Sequence, residues 1–143
     1  MSTGRILLTG SRACTSKATV IRALSDASAL IPPGVKIVLV HGACEVEGKP
    51  AGADALADEV WREWVKIWPG QFEDPETHPA RLFRTPLVRN QHMVDSGAAV
   101  CVAIADSWAS GTGHCARRAR AAGINTVDYG VDTRIEARPG VAA

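Results

Sequence analysis

The sequence predicts an α/β protein, a three-layer Rossmann-like fold around a parallel five-stranded sheet with strand order 3-2-1-4-5. Three observations carry that expectation. Short apolar runs alternate with amphipathic ones along the chain, as in repeated βαβ units. Glycine-bearing turns stand where those runs end. Ala98 to Ala105, AAVCVAIA, is apolar on both alternating faces, as a central strand covered by helices on both sides must be.

The first strand is Arg5 to Thr9, stopped by Gly10-Ser11. From about Thr15 to Leu30, Val20, Leu24, Ala27 and Ile31 recur at helical spacing, and Pro32-Pro33-Gly34 ends the segment by removing donors and fixing φ. Val35 to Val40 is the second strand. The clearest helix is Gly52 to Lys66: Ala53, Leu56, Ala57, Val60, Trp61, Trp64 and Val65 form one stripe, with Asp58, Glu59, Arg62, Glu63 and Lys66 opposite. Pro69 to Pro79, proline-rich and acidic, reads as a mobile surface loop, and Arg81 to Arg84 as a short strand near a sheet edge. Thr85-Pro86 opens a third helix, with threonine as cap and proline in the first turn, and Gly97 closes it. A fourth helix spans about Thr112 to Ala122, and a last strand Asn125 to Tyr129.

A chain of 143 residues is long enough for one domain, which should bury roughly two thirds of its unfolded surface; residues 1–131 are assigned to it. The tail, residues 132–143, lacks the apolar content to pack and is expected to be disordered. Lys and Arg number 16 against 15 Asp and Glu, so no overall field concentrates polyanions, which disfavours nucleic-acid binding. The N-terminus has no charged leader, and no apolar run is long enough to span a bilayer, so a cytoplasmic protein is expected. Cys14, Cys44, Cys101 and Cys115 lack CxxC pairing and read as reduced, mostly buried thiols. The four histidines lack ligand spacing, so neither a metal nor a cofactor is expected.

Four stretches follow strands or open helices: Thr9-Gly10-Ser11-Arg12, His41-Gly42-Ala43, Gly52-Ala53-Asp54 and Ser110-Gly111-Thr112-Gly113. Glycine there lets backbone N–H groups approach a phosphate, and a helix N-terminus adds partial positive charge; glycine is equally what a tight turn requires. Arg12 is placed to clamp a phosphate or to form a surface ion pair. Asp54 is placed to accept from a ribose or to cap its helix. Asn90 falls in line with Leu87 and Val94 on an inward stripe and needs buried partners, while Arg89 faces either the crevice or solvent. Arg117, Arg118 and Arg120 lie opposite the arc of Cys115, Ala116, Ala119 and Ala122, as a solvated face would. Trp108 either stacks on a base or packs. Trp64 and Trp68, at the end of the longest helix, offer apolar area for a homodimer.

TGSR at Thr9 to Arg12, HGA at His41, GADALA at Gly52 to Ala57, RNQHMVD at Arg89 to Asp95, and GTG with RARAAGI ending at Ile124 together resemble the SLOG superfamily of Rossmann-like proteins, in particular its small YspA-like group from prokaryotes and phages. The extra residues Glu45 to Pro50 lengthen a loop that is a short glycine turn in that group. The superfamily also includes the Lonely Guy phosphoribohydrolases, which cleave a base from a nucleoside monophosphate, and the DNA-processing protein DprA. In the hydrolases an RKxxM segment precedes PGGxGTxxE, whose arginine and glutamate are catalytic. Arg89 and Met93 match the first and Gly111-Thr112 the GT of the second, but Cys115 stands at the glutamate position and Trp108-Ala109 at the two glycines.

Glycosidic cleavage needs a carboxylate to assist water or stabilise an oxocarbenium ion, which a neutral thiol does not supply. The expectation is therefore a binding or sensing domain for a nucleotide-derived phosphate ligand. The phosphate is expected on Gly10, Ser11, Gly42 and Ser110 to Gly113, and Arg12, Asp54, Arg89 and Asn90 around the sugar or base. One alternative is a nucleoside monophosphate N-glycosidase using Arg89 with Asp54 or Asp106 as its carboxylate; a second is DprA-like binding of single-stranded DNA.

Overall fold

The computed structural model describes residues 4–105 and 111–130. Five parallel strands, β1 (Arg5–Gly10), β2 (Ile37–His41), β5 (Phe72–Thr77), β6 (Val100–Ala105) and β7 (Asn125–Gly130), form one sheet in the order β5-β2-β1-β6-β7. In chain order of the sheet strands this is the expected 3-2-1-4-5. Helices α1 (Lys17–Ala29) and α2 (Gly52–Ile67) pack on one face, and α3 (Pro86–Asp95) and α4 (Gly111–Ala121) pair with each other against the other. The pleat divides β1 between the two layers: Ile6 and Leu8 join the α1/α2 core, and Leu7 the α3/α4 core with Val40 and Cys101.

Local chemistry explains the helix ends. Ser16 caps α1 by accepting from the Thr19 amide at 3.2 Å, and Thr85 caps α3 by accepting from Val88 at 3.1 Å, with Pro86 following it. Gly97, at φ +83, turns the chain out of α3. The α1 stripe of Val20, Leu24, Ala27 and Ile31 is buried, and the Tyr129 hydroxyl donates to Asp26 at 2.8 Å, tying β7 to α1.

The third sheet strand is not at Arg81 to Arg84. It lies inside the expected loop, as β5, and Ala80–Leu82 is a single 3-10 turn. Phe72 anchors β5 by packing against Trp61 at 5.0 Å between ring centroids, and the Trp61 indole N–H donates to the Glu73 carbonyl at 2.7 Å. Pro75 lacks an amide, yet the strand tolerates it because β5 is at the sheet edge and its register on β2 slips between the Val38–Glu73 and Val40–Glu76 pairs, a bulge that contains the proline. Arg5 then holds Glu76 through two bonds of 2.9 and 2.8 Å and donates to the Gly97 carbonyl at 2.9 Å. That contact, with His78, holds the Glu76 carboxyl down at about 2.

The Glu45–Pro50 insertion is a small antiparallel hairpin, β3 (Glu45–Val46) and β4 (Lys49–Pro50), turned by Glu47 and Gly48 at φ 53 and 77. Two expectations on helix faces are corrected. Leu87 is not inward: the buried arc of α3 is Arg89, Asn90, Met93 and Val94, and Leu87 lies at its margin in the first turn. Arg120 is not free in solvent, because Asp128 on the neighbouring β7 takes it at 2.5 Å; Ala122 follows the end of α4 and is exposed. Asp106, Trp108, Ala109, Ser110 and residues 132–143 lie outside the described residues.

Candidate functional site

The winding reverses beside β1: the chain passes from β1 to β2 and β5 on one side, then returns to β6 and β7 on the other. In such sheets the crevice opens at the carboxyl ends of the strands where that reversal occurs. Here it is a cavity of about 590 Å³, within the usual range for small-molecule sites. The bend after β1, the loop after β2, the start of α2, one face of α3 and the first turn of α4 all line it.

The bend after β1 is consumed largely by its own turn. The Ser11 amide donates to the Ile104 carbonyl on β6 at 2.7 Å, Ala13 donates to Ser11 Oγ at 3.0 Å, and the Ser11 carbonyl receives both Cys14 and Ala53. These bonds fasten β1, β6 and α2 together at the cavity floor. Gly10 is glycine because Ala53 Cβ occupies the space a side chain would need. Gly52, at φ +72, meets Ser11 and Arg12 backbone in the same way. Arg12 is exposed at the cavity wall.

The opposite wall carries a buried guanidinium. Arg89, 6% exposed, donates from Nη1 to the Gly42 carbonyl at 2.7 Å and the His78 carbonyl at 3.1 Å, and from Nε to Asn90 Oδ1 at 2.8 Å. Gly42 has no side chain because Arg89 lies in that space. Asn90 passes the link on, its Nδ2 donating to the Gly111 carbonyl at 3.3 Å. A chain of hydrogen bonds thus runs from the loop after β2, through α3, to the start of α4.

Asp54 sits between these walls, 2% exposed. It does not cap α2, whose capping position has no side-chain bond. Instead its Oδ2 accepts from the Cys44 amide at 3.1 Å, while Oδ1 is buried without a hydrogen-bond partner among the described residues. Burial and the neighbouring Asp54 carboxylate push the half-buried Cys44 thiol up to about 12, against a smaller opposing pull from Arg89. Carboxylate and guanidinium therefore flank one thiol at the cavity wall.

A relay behind the wall fixes this loop. His41 Nδ1 accepts from the Ala43 amide at 3.0 Å, so its proton is on Nε2, which donates to Asp58 at 2.7 Å. That bond is the main cause of the lowered Asp58 carboxyl, with Arg62 on its other oxygen. Ala43 is thereby held at φ 51, a left-handed conformation uncommon for alanine.

The first turn of α4 presents Gly111 and Thr112 to the cavity and carries no acidic residue of its own; a helix start bears partial positive charge. Gly113 is buried in that turn without lining the cavity. Cys115 is wholly buried, and burial pushes its thiol up to about 11. It is neutral near neutral pH and supplies no carboxylate-like charge. Among the candidates within the described residues, Gly10, Ser11, Arg12, Gly42, Asp54, Arg89, Asn90, Gly111 and Thr112 share the cavity. Sequence reasoning missed Cys44, although the HGA motif ends directly before that cysteine. Among the described residues there is no group of three or more His, Cys, Asp or Glu placed to hold a metal, and no helix is long and apolar enough to cross a membrane.

No family model and no solved structure matches the chain. It is 37% identical over 130 residues to the Gene 61 protein of Mycobacterium phage D29, an alignment covering 88% of this chain and 96% of that protein. The chain belongs to the family of that phage protein.

Proposed function

We propose that the chain binds or senses a nucleotide or nucleotide-derived phosphate in the cavity at the strand carboxyl ends. One observation carries this reading: a single cavity brings together the first turn of α4, the buried Arg89 guanidinium and the buried Asp54 carboxylate. A helix N-terminus suits a phosphate, and the two separate opposite charges in the same cavity suit a polar sugar and base. Arg12, exposed at the wall, adds a phosphate partner from the solvent side. The sequence resemblance to the SLOG superfamily supports the same ligand class. A phage-encoded protein acting in the cytoplasm of its host fits four cysteines of which none is in a disulfide. The exposed Ile67 and Trp68 at the end of α2 suit a homodimer.

The test is thermal unfolding of the full chain with millimolar nucleoside mono-, di- and triphosphates. A ligand at a hundred times its dissociation constant adds about 2.7 kcal/mol, which raises the melting temperature by several degrees for a chain of this size. No shift with any nucleotide contradicts the reading.

A second reading, nucleoside monophosphate N-glycosidase, is favoured by Asp54 alone. It places a carboxylate in the cavity that also holds Arg89, where Cys115 fails to supply one. Release of free base on incubation, detected by chromatography, separates this enzyme from a binder.

A further inference from the structure

The carboxylate of Asp54 has only half its hydrogen-bonding capacity in use. Oδ2 is fixed by the Cys44 amide, Oδ1 has no hydrogen-bond partner among the described residues, and the side chain is 2% exposed at the wall of the cavity. Asp54 has no ion-pair partner within 4.0 Å among the described residues. A buried carboxylate oxygen without an N–H or O–H partner is costly, and the neighbouring Cys44 thiol offers it only a weak S–H donor. The loop that carries Cys44 is itself locked by the bond from the Ala43 amide to His41, so it cannot readily turn a second amide toward Oδ1.

The missing partner is a hydrogen-bond donor from the ligand. A cationic group is disfavoured, because Arg89 and the positive end of α4 line the same cavity. A phosphate or carboxylate would be repelled by Asp54. What remains is a neutral donor, and the hydroxyl pair of a ribose fits, since a carboxylate accepts through both oxygens. We infer that Asp54 is a specificity-determining acceptor for the ribosyl diol, so that the cavity takes ribonucleotides in preference to their deoxy counterparts. This rests on the nucleotide reading above.

The experiment is calorimetric titration of the full chain with the four ribonucleoside 5′-monophosphates, and with the 2′-deoxy and 3′-deoxy forms of whichever binds. Loss of a hydroxyl donor to a charged acceptor should weaken binding by about tenfold or more. D54N retains an acceptor for the Cys44 amide but removes the charge, and it should erase most of that preference while melting as a folded protein. Should D54N fail to fold, the comparison in the unaltered chain still decides. Equal affinity for the ribo and both deoxy forms overturns the role of Asp54 and leaves the nucleotide reading intact; binding of neither these nor the corresponding di- and triphosphates overturns both.

Discussion

Nothing larger than hydrogen fits at Gly52. A Cβ there would overlap the Ser11 carbonyl oxygen and the Arg12 Cα, both backbone atoms that cannot swing aside, and φ +72 is itself unfavourable for alanine. Gly52→Ala should therefore cost about 2–4 kcal/mol, from overpacking plus backbone strain, read by urea denaturation. A loss below about 0.5 kcal/mol would contradict this close packing of α2 on the first bend. Such glycines show what a sequence conceals. Gly10 and Gly42 were legible as special positions, but a glycine needed for a phosphate and one needed for Ala53 or Arg89 are the same letter. Arg89 and Asn90 were placed on a helix by periodicity. Only the fold showed that Arg89 is inward, because its partners are carbonyls of Gly42 and His78, distant in the chain and invisible to any pattern on α3.

At the scale of elements, β5 depends on contacts that its own residues do not advertise. FEDPET has one apolar anchor, Phe72, and no alternation, so the usual strand signal is absent. Its place is set from outside, by Trp61 on α2 and by Arg5 on β1. The Arg5–Glu76 contact carries a pH signature. Because the folded carboxyl is held at about 2 rather than its ordinary 4.5, the stabilisation is fully present above pH 4.5 and is lost as pH falls from there toward 2. Glu76 is more than a third exposed, so solvent screening keeps the effect to about 1 kcal/mol or less. Glu76→Gln should be less stable than the unaltered chain at pH 7 and indistinguishable from it near pH 2, by denaturant titration across that range. A difference independent of pH would contradict the ion pair as its cause. The helices α1 to α4, by contrast, were legible within a few residues, since caps such as Thr85-Pro86 and stripes such as Val20, Leu24 and Ala27 act locally.

Across the whole molecule, the strand order was legible because alternating segments and parallel crossovers leave few topologies, and the order alone dictates where the crevice opens. That is why most site candidates chosen from turns and helix starts came to one cavity although four separate crossovers supply them. What the pattern could not show was the interior chemistry, namely Cys44 beside Asp54 and the unsatisfied Oδ1, which depend on how the loop after β2 folds back. The central claim is that this cavity seats a phosphate on the first turn of α4 with its sugar toward Asp54. Amide chemical shifts of the isotope-labelled chain, followed during titration with a ribonucleoside monophosphate, test it most directly. The largest saturable changes are expected at Gly111, Thr112 and Gly113, with Arg12, Cys44 and Asp54 next. Shifts confined to other surfaces, or none at millimolar ligand, would contradict it.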